Sequence, residues 1–391
     1  MKLAMRTTLF FLLTSTWMFG QQFLDGRVRD ATSGQPVERA AITNNRSRST
    51  AMTNAEGKFR ISAKSSDTLI IRHISYKTAV SAVVDSNAET EIALVPRIFQ
   101  LDEVLISSTP PEALLLEVVE VSQERLRTPL TFQTYCREYC RVNTQLSSFA
   151  NGFVDFRVQN RGAADLYIIQ NQIKKMPGVA LSRIYEEAPG MSILSIQEAF
   201  ERAYSFKALR NVARSSVYEY TLRRKQDDEG NLFEIISFLP KNDVPEVLYE
   251  GQVIYDAKSK LILEYQYRIA ESHRRFAKAR AFGTMELTVL DVSKFLLFSA
   301  VDGNYIPFYQ HNMGKVHLHL ADQYNEIFES STDVLVLGVD DSEPRHSFKP
   351  YKGWSLYEAG TKYSDEIWKS YEVFLQTDAE QQVQKLLNSK R

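Results

Sequence analysis

The run Phe23-Leu24-Asp25-Gly26-Arg27-Val28-Arg29-Asp30, followed by Thr32-Ser33-Gly34-Gln35-Pro36-Val37, decides the fold of the first fifth of this chain. Leu24, Gly26 and Val28 alternate with polar residues, the period of a strand with one buried face. The pattern recurs at Phe59 and Ile61, Leu69 and Ile71, Val80 and Ala82, and Ile92 and Leu94. Turn-forming residues separate the segments: Thr32-Ser33-Gly34, Asn44-Asn45, Glu56-Gly57 and Ser65-Ser66-Asp67. Short strands at this spacing predict a seven-stranded β-sandwich over residues 22–99. Gly34 and Gly57 stand where a tight turn calls for a positive φ. Phe59 and Tyr76 are the expected large core side chains.

Further stretches give this segment a family likeness. Gly26-Arg27-Val28-Arg29-Asp30 is followed by Ala40-Ala41-Ile42, by Thr53-Asn54-Ala55-Glu56-Gly57-Lys58-Phe59-Arg60-Ile61, and by Leu69-Ile70-Ile71-Arg72-His73-Ile74-Ser75-Tyr76. The succession over residues 23–96 resembles the carboxypeptidase-regulatory-like domain, a small transthyretin-like β-sandwich found on many envelope proteins of Gram-negative bacteria. Three positions depart from the family's pattern. Ala40-Ala41 replaces a Gly-Ala pair, Asn54 replaces an Asp in the hairpin, and Ser75-Tyr76 replaces Gly-Tyr. These are fold positions, so the resemblance implies an architecture and an envelope setting, and no activity.

The first twenty residues read as a secretory leader. Lys2 and Arg6 precede short apolar runs at Leu9–Leu13 and Trp17–Phe19, and Gly20 is a small residue at a cleavage position that leaves Gln21 first. The apolar run is shorter than the ~20 residues a membrane-spanning helix needs, and no later segment reaches that length. The expected location is therefore outside the cytoplasm, in the periplasm or associated with the outer membrane. Without Lys2 and Arg6 the chain carries 45 basic and 48 acidic residues, a net charge of −3. That balance argues against a nucleic-acid partner. The two cysteines, Cys136 and Cys140, exclude a disulfide-rich scaffold. On one strand they lie ~13 Å apart, beyond the ~7 Å reach of a disulfide, and read as same-face core residues.

Leu101-Asp102-Glu103-Val104-Leu105-Ile106 resembles the segment that follows this domain in many envelope proteins, TonB-dependent transporters among them. Residues 100–111 are expected to be a linker, and residues 112–391 a larger antiparallel β domain with flanking helices. Thr109, Pro110 and Glu112 read as a cap, a first-turn proline and a capping-box acid. Leu115, Val118, Val119 and Leu126 then form a helical stripe. Strand-like alternation recurs from Leu130 to Val339, at Phe153–Val158, Tyr218–Leu222, Phe233–Leu239, Val247–Tyr255 and Leu261–Ile269, among others. A helix is expected where Ile196, Ala199, Phe200 and Ala203 share a face, and another from Tyr363 to Lys390. The chain as a whole is expected to be mainly β. The run from Tyr249 to Tyr265 suggests a large curved sheet of the kind found in periplasmic lipid carriers.

Reactive motifs are sparse. His317 and His319 share a strand face, and His311 could return across a turn at Asn312-Met313-Gly314 to complete a zinc site. The plainer reading is a solvated strand face. Arg274, Arg275, Lys278 and Arg280, interleaved with Phe276 and Phe282, could grip an anionic headgroup or polysaccharide, or could be a solvated hairpin end. Asp340, Asp341 and Glu343 lack the regular ligand spacing of a calcium loop. No general acid and base pair stands out, and no cofactor is expected. The function expected is a non-enzymatic binding or scaffolding role in the envelope, with an envelope protein, a glycan or a lipid-like ligand as partner. Two alternatives stay open. One is a metal- or carboxylate-dependent hydrolase of envelope peptide or glycan. The other is a small outer-membrane barrel, which the uneven strand runs and the charged end at Leu386–Arg391 disfavour.

Overall fold

The computed structural model describes residues 22–85, 89–105, 107–160, 162–175, 195–282, 285–301, 303–320, 324–343, 349–362 and 364. The expected leader and, Ser364 apart, the expected helix from Tyr363 to Lys390 lie outside the described residues. The protein is mainly β, as its alternation predicts.

Seven short strands build the N-terminal unit: β1 (Phe23–Asp30), β2 (Ala41–Asn44), β3 (Thr50–Met52), β4 (Lys58–Ser62), β5 (Thr68–His73), β6 (Tyr76–Ala82) and β7 (Thr90–Leu94). They form two sheets, ordered β4-β1-β7 and β3-β2-β5-β6. Among the described residues only β1 and β7 run parallel, with Val28 opposite Ile92. The alternating side chains Leu24, Val28, Ile42, Phe59, Ile61 and Leu69 are fully buried between the sheets. The Phe59 ring lies over Gly26, where a Cβ would come within 2.4 Å of it. Gly57 has φ +72°, and a Cβ there would sit 2.4 Å from the Val28 carbonyl oxygen. Asn54 does the hairpin work expected of an Asp: its Oδ1 accepts from the Glu56 and Lys58 amides at 2.9 Å. Tyr76 departs from expectation. It is half-buried on the edge strand β6, where its hydroxyl donates to Asp30 at 2.9 Å.

The segment expected as a linker is partly a strand. β8 (Phe99–Val104) pairs with β12 (Tyr218–Asp227), so its backbone groups complete the larger sheet. That sheet also contains β9 (Leu130–Val142), β10 (Gln145–Asn160), β11 (Ala163–Lys175), β13 (Leu232–Pro240), β14 (Tyr249–Asp256), β15 (Ile262–Ile269), β16 (Arg280–Phe282), β17 (Met285–Val301), β18 (Asn304–Leu320) and β19 (Tyr324–Asp340). Its twelve strands are ordered β11-β10-β9-β19-β18-β17-β15-β14-β13-β12-β8, with β16 paired to β17.

Among the described residues three α-helices cover one face: α1 (Pro111–Arg125), α2 (Ile196–Ser205) and α3 (Lys207–Ala213). Thr109 does not cap α1. Pro110 holds the cap position with φ −56° and ψ 139°, which places Pro111 rather than Pro110 in the first turn. Ser195 caps α2, its side chain accepting from the Glu198 amide at 3.3 Å. Phe200 of α2 stacks on Phe156 of β10 at 4.3 Å between ring centroids and meets Phe132 of β9 edge-on at 5.1 Å. Such aromatic contacts bury large apolar area in specific geometry. They fill the space that alternation alone would leave open on this face.

Candidate functional site

The other face of the large sheet carries the site. Strand alternation sends Ile254 and Gln252 of β14, Glu264 and Gln266 of β15, Phe295 and Leu297 of β17, and Tyr309 and His311 of β18 to this side. Register aligns them into rows. Ile254, Glu264, Leu297 and Tyr309 lie opposite one another in turn, and so do Gln252, Gln266, Phe295 and His311. Each row therefore mixes apolar and polar groups, whereas the helix-covered face is dominated by apolar ones.

The sandwich rests on this face at two places. On one side the Thr50 hydroxyl donates to the Val336 carbonyl at 2.7 Å, and Tyr135 and Phe153 join the sandwich core. On the other, Lys77 pairs with Asp228 at 2.5 Å and Arg97 pairs with the fully buried side chain of Asp227. Between these supports lies a cavity of about 710 Å³, within the ~300–1,000 Å³ range of ligand clefts. Its floor includes Ile254, Leu263, Phe295 and Leu297, and its roof includes Arg39, Ala41, Arg72, His73 and Ile74. A second cavity of about 690 Å³ runs along Gln252, Gln266, Arg268 and His311, and a third of about 310 Å³ along Arg137, Tyr139 and Asp333. Arg39 borders all three. Its backbone is left-handed, φ +61°, and its guanidinium lies 4.3 Å above the Phe295 ring. That is a cation–π contact between roof and floor.

The electrostatics of the cavity centre on Glu264, which is 8% exposed. Burial pushes its carboxyl up to about 7, against the opposing field of Arg39. At the rim, burial aided by Arg39 drives His73 down to about 4, so its imidazole is neutral near pH 7. Its Nδ1 accepts from the Ser75 amide at 3.1 Å.

The histidines singled out in the sequence do not converge. β18 runs unbroken through Asn312-Met313-Gly314, so no turn brings His311 back. Six residues of strand keep it ~20 Å from His317. His317 instead meets Asn325 Oδ1 at 2.7 Å, with the His319 ring 6.5 Å away. His311 Nδ1 lies 2.9 Å from Asp333, which also accepts from Tyr309 at 2.6 Å and Arg137 at 2.9 Å. Burial alone would raise the Asp333 pKa. Arg137, His311 and Tyr309 more than offset it and hold the carboxyl far below the usual range. Among the described residues no group of three His, Cys, Asp or Glu is gathered as a metal site.

The basic cluster is dispersed. Arg274 pairs with Asp291 at 2.9 Å and Glu271 at 2.5 Å, and Arg275 lies over the Phe276 ring at 4.8 Å. Lys278 and Arg280 are exposed beyond that short 3₁₀ turn. Glu343 is held by the buried Arg157 at 2.8 Å. Cys136 and Cys140 are free thiols on β9, the first fully buried. Sequence reasoning missed Arg39, Gln252 and Glu264. The one available signal was the acid between Leu263 and Tyr265 inside a strand-like run.

Fold and cavity together define a two-part β protein with a roofed, mixed-polarity cleft. Residues 24–106 match the family model of the CarboxypepD_reg-like domain. No curated protein matches the chain. Among solved structures, a LolA-superfamily protein from Nitrosomonas europaea is similar at 10% identity and a TM-score of 0.23, covering 58% of this chain and 95% of that one. Lipovitellin is similar at 10% identity and a TM-score of 0.25, with 66% and 30% covered. A DUF1329-family protein from Desulfovibrio piger gives 10% identity and a TM-score of 0.23, with 58% and 91% covered. Likeness at these scores carries no functional argument. Among the described residues no helix is long and apolar enough to cross a membrane.

Proposed function

We propose that this is a non-enzymatic protein of the bacterial envelope that holds an extended, lipid-like ligand between its sandwich and its large sheet. The observation that carries the reading is the roofed cavity of about 710 Å³, whose floor joins apolar side chains at Ile254, Leu263, Phe295 and Leu297 to a small polar group at Gln252, Glu264 and Gln266. Apolar surface without a protein partner favours an apolar occupant, and sparse polar groups fix its orientation. The leader-like start at Lys2–Gly20 and the domain type at residues 24–106 support an exported protein, periplasmic or associated with the outer membrane.

The test is saturable binding of the apolar fluorophore N-phenylnaphthylamine to the folded protein. Leu297→Trp places bulk on the cavity floor. It is expected to weaken binding at least tenfold while leaving the cooperative melting transition in place. Absence of saturable binding, or full binding by that variant, would remove the reading. A second reading, a hydrolase, draws on the His311–Asp333 pair, since a buried carboxylate can orient an imidazole as a general base. Among the described residues no serine or cysteine hydrogen-bonds His311, so a water would have to be the nucleophile. Turnover of envelope peptides or glycans that vanishes in His311→Ala would favour that reading.

A further inference from the structure

Gln252, Glu264 and Gln266 form a compact polar group in the middle of the sheet. Gln252 and Gln266 are directly opposed across β14 and β15, and Glu264 lies two residues along β15 from Gln266 on the same face. All three line the 710 Å³ cavity. Among the described residues, none of the three side chains makes a hydrogen bond or ion pair. For the two glutamines, which are partly or fully open to the cavity and solvent, this is unremarkable. Glu264 is more than nine-tenths buried as a residue, and its carboxylate oxygens keep only a little accessible surface, opening onto the cavity. A carboxylate with so narrow an opening to solvent is poorly hydrated and has no hydrogen-bond donor from the described residues of the protein. A donor that enters with a ligand supplies one.

The chemistry of the group selects among headgroups. A carboxylate accepts two or more hydrogen bonds, and each carboxamide both donates and accepts. An anionic head would meet the carboxylate at close range in a poorly solvated site. A cationic head would meet Arg39 and Arg72 in the roof. A neutral head rich in hydroxyls satisfies all three side chains without either conflict. The apolar floor at Ile254, Leu263 and Leu297 adjoins the group and suits a hydrocarbon body.

We propose that Gln252, Glu264 and Gln266 are the headgroup subsite of this cavity, and that it takes a neutral, hydroxyl-bearing sugar or polyol joined to an apolar chain. The inference rests on the cavity reading above and names the chemistry of its ligand. Titration calorimetry on the full chain would compare four compounds below their micelle concentrations: dodecyl maltoside, dodecanoate, dodecyltrimethylammonium and maltose. The expected order places dodecyl maltoside at least tenfold tighter than either charged amphiphile. In Glu264→Leu its affinity falls at least tenfold, while that for N-phenylnaphthylamine changes less than twofold. Gln252→Leu, on the neighbouring strand, gives a smaller loss in the same direction. Maltose binding as tightly as dodecyl maltoside would overturn the proposal, since the apolar chain would then add nothing. Equal affinity for all three heads, preference for a charged head, or an unchanged Glu264→Leu variant would overturn the proposal. If the fluorophore binds in those cases, the cavity reading survives. If it does not, both fall together.

Discussion

At the scale of single residues, the groups that matter are those whose surroundings contradict their chemistry. Glu264 is the sharpest case. Its carboxyl is raised in the folded protein from an ordinary 4.5 to about 7, because burial disfavours the charged form. Between those values the native state holds a proton that the unfolded chain releases. Its contribution therefore weakens the fold as pH rises through that window, and below about pH 4 the penalty is absent. Glu264→Gln is expected to match the parent protein near pH 4 and to exceed it by up to about 3 kcal/mol at pH 8, as read from urea unfolding at both values. Equal stability at both would show that the carboxylate is solvated. Phe59 tests the sandwich core in the same way. It is fully buried over Gly26, so Phe59→Ala should cost about 3–5 kcal/mol. A loss of a few tenths would place the ring outside the core.

At the scale of elements, the sequence was most readable where one face is buried and the other wet. The sandwich strands show that alternation, and turn chemistry at Gly34 and Gly57 marks their ends. Both glycines have the positive φ their turns require. We expect residues 22–99 expressed alone to give a cooperative thermal transition, because the unit carries its own turns and buried core. A fragment without one would show that the large sheet is needed to fold it. The longer strands were only partly legible. β17, β18 and β19 each run 17 residues, yet the alternation marked only portions such as His317–Leu320. Polar side chains are buried on both faces of these strands, Asp333 toward the sandwich and Gln310 and Asn312 toward the helices, and they blur the period. β8 was read as a spacer because its partner, β12, lies over a hundred residues later, and such pairing leaves no local signal. The site was illegible for the same reason. Gln252 and Glu264 are neighbours across β14 and β15, but Arg39 is brought to them only by docking of the sandwich on the sheet.

At the scale of the whole molecule, the proposed envelope setting has its own check. Protein recovered from the exported fraction should begin near Gln21 on N-terminal sequencing. A full-length cytoplasmic form as the main species would count against it. Within the molecule, the roof of the cavity hangs from the sheet that forms its floor. Only four residues, Val95 to Ile98, separate the last sandwich strand from β8, which is itself part of that sheet. The two surfaces that enclose the cavity are thus joined through a very short chain, and their closure is an intramolecular event with a high effective concentration. Dilution cannot separate them, and a partial opening is followed by reclosure at a rate independent of protein concentration. In the proposed role, a ligand would enter and leave between two surfaces that remain tethered through Val95 to Ile98. The same sandwich supplied as a separate chain would have to find its floor by diffusion, and at ordinary concentrations would leave it bare.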